Sequence, residues 1–130
     1  MVLDTSAIIA ILTGEPVADR LVGAIEADRT RLVSSATVVE ASLVLLGRYG
    51  EAGDVQLDRL LRTIGAEVVP VGEEQVMLAR DAELRFGRGR HPAALNFGDC
   101  FSYALAVARG ESLLFVGDDF AMTDVGSCPW

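Results

Sequence analysis

The sequence contains no lysine: all 11 of its cationic side chains are arginine. Chemistry that needs an amine beside a phosphoryl group is therefore closed to it. Histidine occurs once, at His91, and cysteine only at Cys100 and Cys128, with no spacing that makes a ligand pair. This speaks against a zinc centre of the Cys/His kind, and the two thiols read as reduced packing residues rather than a disulfide. Proline is scarce, at 4 residues, while 51% of the chain is apolar, which argues for a packed fold and against disorder. No apolar run approaches the roughly 20 residues that cross a bilayer. The opening MVLDTSAIIAIL lacks a basic leader and carries Asp4. The expectation is a cytoplasmic protein with no membrane segment.

What is present is an acidic chain of 130 residues, with a formal charge of -8. Its length sets the expectation of one domain, residues 1–130. The charge argues against adhesion to nucleic acid through bulk attraction. Its distribution is uneven, however, because Arg80, Arg85, Arg88, Arg90 and His91 crowd into ARDAELRFGRGRH.

Hydrophobic periodicity places a strand stub at VL before Asp4, a helix from Ser6 to Leu12, and a second helix starting at Pro16. RLVS (31–34) reads as a strand, with Ser35 as cap of the helix carrying Val38, Val39, Leu43 and Leu46. An amphipathic helix spans 54–64, and EVVPV (67–71) reads as a strand, its Pro70 pointing to a sheet edge. A helix over 73–86, an Arg- and Gly-rich loop, and a helix over 97–109 capped by Asn96 lead to the strand SLLFV. Strands alternating with helices imply right-handed crossovers and a parallel sheet covered on both faces. The fold expected is α/β, a three-layer α/β/α sandwich with a short four- or five-stranded parallel sheet.

Carboxylates stand where these elements begin or end. Asp4 follows a strand, Asp99 is the third residue after Asn96, and Asp118 and Asp119 follow LLFV. Each has an ordinary structural use as a cap, a capping-box partner or an Asx turn. Glu40 stands inside the apolar helix ATVVEASLVLL, where an ionised carboxylate needs a partner that no Arg within a turn supplies. Carboxyl ends of parallel strands share one edge of a sheet. Several acids gathered on that edge suit a hard cation such as magnesium, which takes oxygen ligands and keeps waters. A water activated by that cation is a nucleophile for attack on phosphorus.

With these residues in hand, the chain resembles the PIN-domain ribonucleases and, within them, the VapC toxins of type II toxin-antitoxin modules. The resemblance rests on VLDTSAIIAIL, SSATVVEASLVL, GRGRHPAALNFGDCFSYALA and LLFVGDDFAMTDV, in that order over nearly the whole chain. It implies that Asp4, Glu40, Asp99 and an acid of GDDF, Asp119 or else Asp118, are catalytic and hold Mg2+ or Mn2+. It implies a metal-dependent endoribonuclease that cleaves RNA, a homodimer, and neutralisation by a cognate VapB-like antitoxin. Ser6, Asn96 and Thr123 either orient the acids and metal waters or serve only as caps and turn residues. Arg85, Arg88 and Arg90 are candidates for RNA-backbone contacts, with a solvated loop as the plainer reading.

Two other phosphoryl chemistries place an Asp after a parallel strand, the response-regulator receiver and the haloacid-dehalogenase-like phosphatase. Both use a lysine, which is absent here, and the phosphatase pattern wants an Asp where Ser6 stands. A non-catalytic PIN-like or RNA-binding module is the alternative from another class; its expected mark is a degraded site, whereas every acidic position is filled.

Overall fold

Four short strands, all parallel, form the centre of the computed structural model, which describes residues 1–130. They are β1 (Val2–Leu3), β2 (Leu32–Ser34), β3 (Glu67–Val69) and β4 (Leu113–Leu114), in the order β3-β2-β1-β4. Six helices connect them: α1 (Thr5–Leu12), α2 (Ala18–Ala27), α3 (Ser35–Tyr49), α4 (Glu51–Thr63), α5 (Glu73–Phe86) and α6 (Phe97–Arg109).

Alternation along the strands builds two cores, because successive side chains point to opposite faces. Val2, Leu32, Val69 and Leu113 pack with Ala82, Phe86, Tyr103 and Leu105 of α5 and α6. Leu3, Val33 and Leu114 pack with Ile8, Leu21, Ile25, Leu45 and Leu57 of α1 to α4. This is the expected three-layer α/β/α sandwich, with four strands.

Strand order sets the position of the site. The chain steps from β1 outward to β2 and β3, then returns past β1 to lay down β4. The carboxyl ends of β1 and β4 therefore lie side by side at the point where the order reverses, where α/β sheets open a crevice. Asp4 leaves β1 there, its backbone N–H bonded to Leu114 O at 3.0 Å.

Several element boundaries differ from the sequence reading. The cap of α3 is Ser34, whose side chain accepts from Ala36 N, because strand and helix abut without an intervening residue. Ser35 is instead the first residue of α3, and its Oγ accepts from Val71 N at 3.3 Å, fastening the chain beyond β3. Pro16 lies in the turn before α2, which starts at Ala18, and α4 begins at Glu51. Phe115 and Val116 leave the ladder after Leu114. The tail forms a 3-10 turn (Phe120–Met122) and returns along β4, with Leu113 N donating to Gly126 O at 2.7 Å and Cys128 N to Leu113 O at 2.8 Å. Pro70 follows β3, which is an edge strand as expected. No helix is long and apolar enough to cross a membrane.

Candidate active site

Asp4 is both a cap and more than a cap. Its Oδ2 accepts from Ser6 N at 2.9 Å and from the Ser6 hydroxyl at 2.6 Å, closing the first turn of α1. Its Oδ1 is buried and has no hydrogen-bond partner. A carboxylate that is 2% exposed with one orphaned oxygen carries an unmet electrostatic demand. Ser6 also ties the site together, because its Oγ accepts from Val116 N at 3.0 Å across the strand gap. The first acid and the loop carrying Asp118 and Asp119 are thus held through one hydroxyl.

Glu40 lies on α3, half-buried, and its partner is Thr5, whose hydroxyl donates to Oε2 at 2.5 Å. The carboxylate rests against Gly98 in the first turn of α6, at the place where a Cβ would otherwise stand. The sequence reading points to neither Thr5 nor Gly98. A signal for Gly98 existed, since glycine inside a helix costs about 1 kcal/mol relative to alanine and so calls for a local reason.

Asp99 completes a capping box with Asn96: Asp99 N donates to Asn96 Oδ1 at 3.0 Å, and Asn96 N donates to Asp99 Oδ2 at 2.7 Å. Burial pushes its pKa up to about 7, the charges of Asp4, Glu40 and Asp119 add to the rise, and the Asn96 backbone N–H opposes it. Three elements of the sheet edge therefore act on one carboxyl group. Asp119 figures among the main causes and Asp118 does not, although both are exposed in the loop before the 3-10 turn.

These acids are not drawn into a closed cage: no three His, Cys, Asp or Glu side chains stand close enough together to hold an ion as they are. One oxygen each of Asp4, Glu40 and Asp99 is engaged by Ser6, Thr5 and Asn96. The remaining oxygens form a hard donor set without nitrogen or sulfur, which fits Mg2+ or Mn2+ with retained waters.

The other expected site residues divide. Thr123 serves its own turn, donating to Phe120 O and accepting from Val125 N, with no bond to an acid. Arg85 is engaged within the protein, by Asp124 at 2.5 Å and Asp81 at 3.3 Å, so its charge is already matched. Arg88 is exposed on the loop between α5 and α6, with no side-chain partner, and Arg90 reaches Glu83 only at 3.9 Å. That loop is closed by Arg88 N on Leu95 O and Leu95 N on Phe86 O. A groove of about 700 Å3 between α5 and α6, lined by Arg80, Leu84, Arg90, Phe97 and Phe101, runs past the residues flanking Asp99.

Comparison with known proteins bears on the family and the fold. The PIN domain family model matches residues 1–126. The chain is 47% identical to Ribonuclease VapC30 of Mycobacterium tuberculosis, over 98% of this chain and 97% of that protein. Its fold matches the crystal structure of Mycobacterium tuberculosis VapC20, a Sarcin-Ricin loop cleaving toxin, with a TM-score of 0.78 at 19% identity, over 95% of each chain. It also matches VapBC2 from Rickettsia felis bound to a promoter DNA fragment, with a TM-score of 0.75 at 14% identity, over 97% of this chain and 94% of that one.

Proposed function

This chain belongs to the PIN-domain family and to its VapC ribonucleases, and from that premise we propose that it is a Mg2+- or Mn2+-dependent endoribonuclease, the toxin of a type II toxin-antitoxin pair. The observation that carries the reading is the buried Asp4 Oδ1, left without a hydrogen-bond partner at the carboxyl end of β1, with the charges of Asp4, Glu40 and Asp119 all acting on the buried Asp99. Asp4, Glu40, Asp99 and Asp119 would hold the cation. When bound, it supplies activation of water and neutralisation of phosphate charge.

The chain's own residues perform the remaining tasks. Ser6 and Thr5 each fix one oxygen of an acid, Asp4 Oδ2 and Glu40 Oε2, which leaves Asp4 Oδ1 buried without a partner. Asn96 holds Asp99 Oδ2, so a proton taken up near neutral pH sits on Oδ1, and a cation held by this carboxyl group would compete with it. Arg90 lines the groove that Phe97 and Cys100 also line, Arg88 is exposed on the same loop, and both present guanidinium groups suited to phosphate oxygens. These contacts place RNA without reading its bases.

The reading includes a homodimer and neutralisation by a VapB-like antitoxin. A toxin-antitoxin complex from Klebsiella pneumoniae shares this fold, with a TM-score of 0.74 at 16% identity, which supports such a partner. Helix α3 exposes Val39, Leu43 and Leu46 along one stripe, a surface suited to an amphipathic partner helix. The carboxylate edge attracts an inserted Arg or Lys as readily as a metal. Expression of the chain alone should arrest growth, and co-expression with the product of the neighbouring upstream reading frame should relieve it. Arrest that persists when Asp4 and Asp99 are both replaced by Asn would refute the catalytic reading.

A further inference from the structure

The segment carrying Asp119 is gripped by a second group of side chains, away from the acids. Tyr103 follows Asp99 by one turn of α6 and is 2% exposed. Its hydroxyl donates to Asp124 Oδ1 at 2.6 Å. Arg85 of α5 donates to Asp124 Oδ2 at 2.5 Å and to the Tyr103 hydroxyl at 3.3 Å, and its guanidinium lies 4.5 Å from the Phe86 ring centroid. Asp124 comes just after the 3-10 turn (Phe120–Met122) that Asp119 opens.

The loop is thus pinned at both ends. Val116 is bonded to Ser6 on one side, and Asp124 is held by Tyr103 and Arg85 on the other. Between them only Phe120 is buried, against Phe115, and Asp118 and Asp119 stand in solvent. Residues one turn apart share a helix face, so Asp99 and the Tyr103 that grips the Asp119 segment lie on one side of α6, and the charge of Asp119 acts on Asp99. Burial first, and then the bond to Asp124, push Tyr103 up to about 12. The hydroxyl therefore stays protonated and donating at any physiological pH.

We propose that Tyr103 and Asp124, braced by Arg85, are positioning residues that hold Asp119 opposite Asp99 and so set the affinity of the acidic edge for a divalent cation. The proposal rests on the ribonuclease reading for its purpose, but its primary test is metal binding. Mn2+ affinity is measured by calorimetry, alongside the Mg2+ dependence of RNA cleavage, on the full chain and on Tyr103→Phe, Asp124→Ala and the double variant. Arg109→Ala, which breaks a surface ion pair with Glu67 at the far end of α6, is the control. Each single variant should weaken Mn2+ about tenfold or more, the range seen when groups supporting metal ligands are removed. The Mg2+ needed for half-maximal cleavage should rise by the same factor, with cleavage recovering at saturating metal. The double variant should match the worse single, because both break one link. Folded variants that bind Mn2+ as tightly as the unaltered chain, with only a lower melting temperature, would overturn the proposal, as would an unaltered chain that binds no Mn2+. Clamp-dependent Mn2+ binding without RNA cleavage would support the clamp and refute the ribonuclease reading.

Discussion

Gly98 sits directly against the carboxylate of Glu40: a methyl group on its Cα would fall on both carboxylate oxygens, well inside van der Waals contact. The contact joins α3 to the first turn of α6 and brings Glu40 next to the residue preceding Asp99. Because the obstructed group is the far end of a flexible side chain, a larger residue displaces Glu40 without breaking the fold.

Gly98→Ala is therefore expected to fold with an unchanged or slightly higher melting temperature, since alanine favours a helix over glycine by up to about 1 kcal/mol. RNA cleavage should fall as far as it does in Glu40→Gln, and combining the two should add nothing. Cleavage rates for the three variants check this, and full activity in Gly98→Ala would show that the position of Glu40 is immaterial.

The two acids of GDDF are separable by the same assay. Asp119 contributes to raising Asp99, whereas Asp118 spends its backbone carbonyl on Ala121 N in the turn. Asp119→Asn should lose most of the metal-dependent cleavage and Asp118→Asn should lose little. The reverse order would exchange their roles.

The raised pKa of Asp99 makes a signed prediction for the metal-free protein. Its folded value of about 7 lies above its ordinary 3.8, so between these limits the native state binds the extra proton. Stability without metal should therefore rise as pH falls from about 8 toward 5, and Asp99→Asn should abolish that slope. Below this window the sign reverses, because Asp28 is held low by the Thr30 backbone N–H and Asp124 by Tyr103 and Arg85, and protonation removes their contributions. Thermal melts across pH in EDTA check both limbs. A flat profile between pH 5 and 8 would mean that burial and the neighbouring charges do not raise Asp99.

Arginines of one short stretch should behave differently. Arg88→Ala and Arg90→Ala should weaken RNA binding and each flatten the slope of log affinity against log salt by roughly one unit. Arg85→Ala should leave the slope unchanged and lower the melting temperature, because its partners are Asp124, Asp81 and Tyr103. Affinity measured at several salt concentrations distinguishes these cases.

Much of this was legible from periodicity and from where the acids fall. The runs VL, LV and LL stood out as apolar stretches between helices, and Asp4, Asn96 and Asp99 occupied positions whose capping geometry is local. Contacts between distant segments were not legible. The Thr5–Glu40 bond, the seat of Glu40 on Gly98 and the Tyr103–Asp124 clamp each join elements whose proximity depends on the packing of α3 against α1 and α6 or on the path of the tail. Arg85 illustrates the limit: in sequence it belongs to a basic run, and only the fold brings Asp124 to it. Ser34 displaced Ser35 as a cap because a strand that runs straight into a helix leaves no loop residue to do it.

The most direct test is RNA cleavage by the purified, antitoxin-free chain against Mg2+ concentration, run in parallel with Asp99→Asn. The account predicts no cleavage in EDTA, cleavage that rises with added Mg2+, and none at any Mg2+ concentration in Asp99→Asn, which should stay folded and melt no lower than the unaltered chain in the absence of metal. Equal cleavage with and without EDTA, or undiminished cleavage by Asp99→Asn, would contradict it.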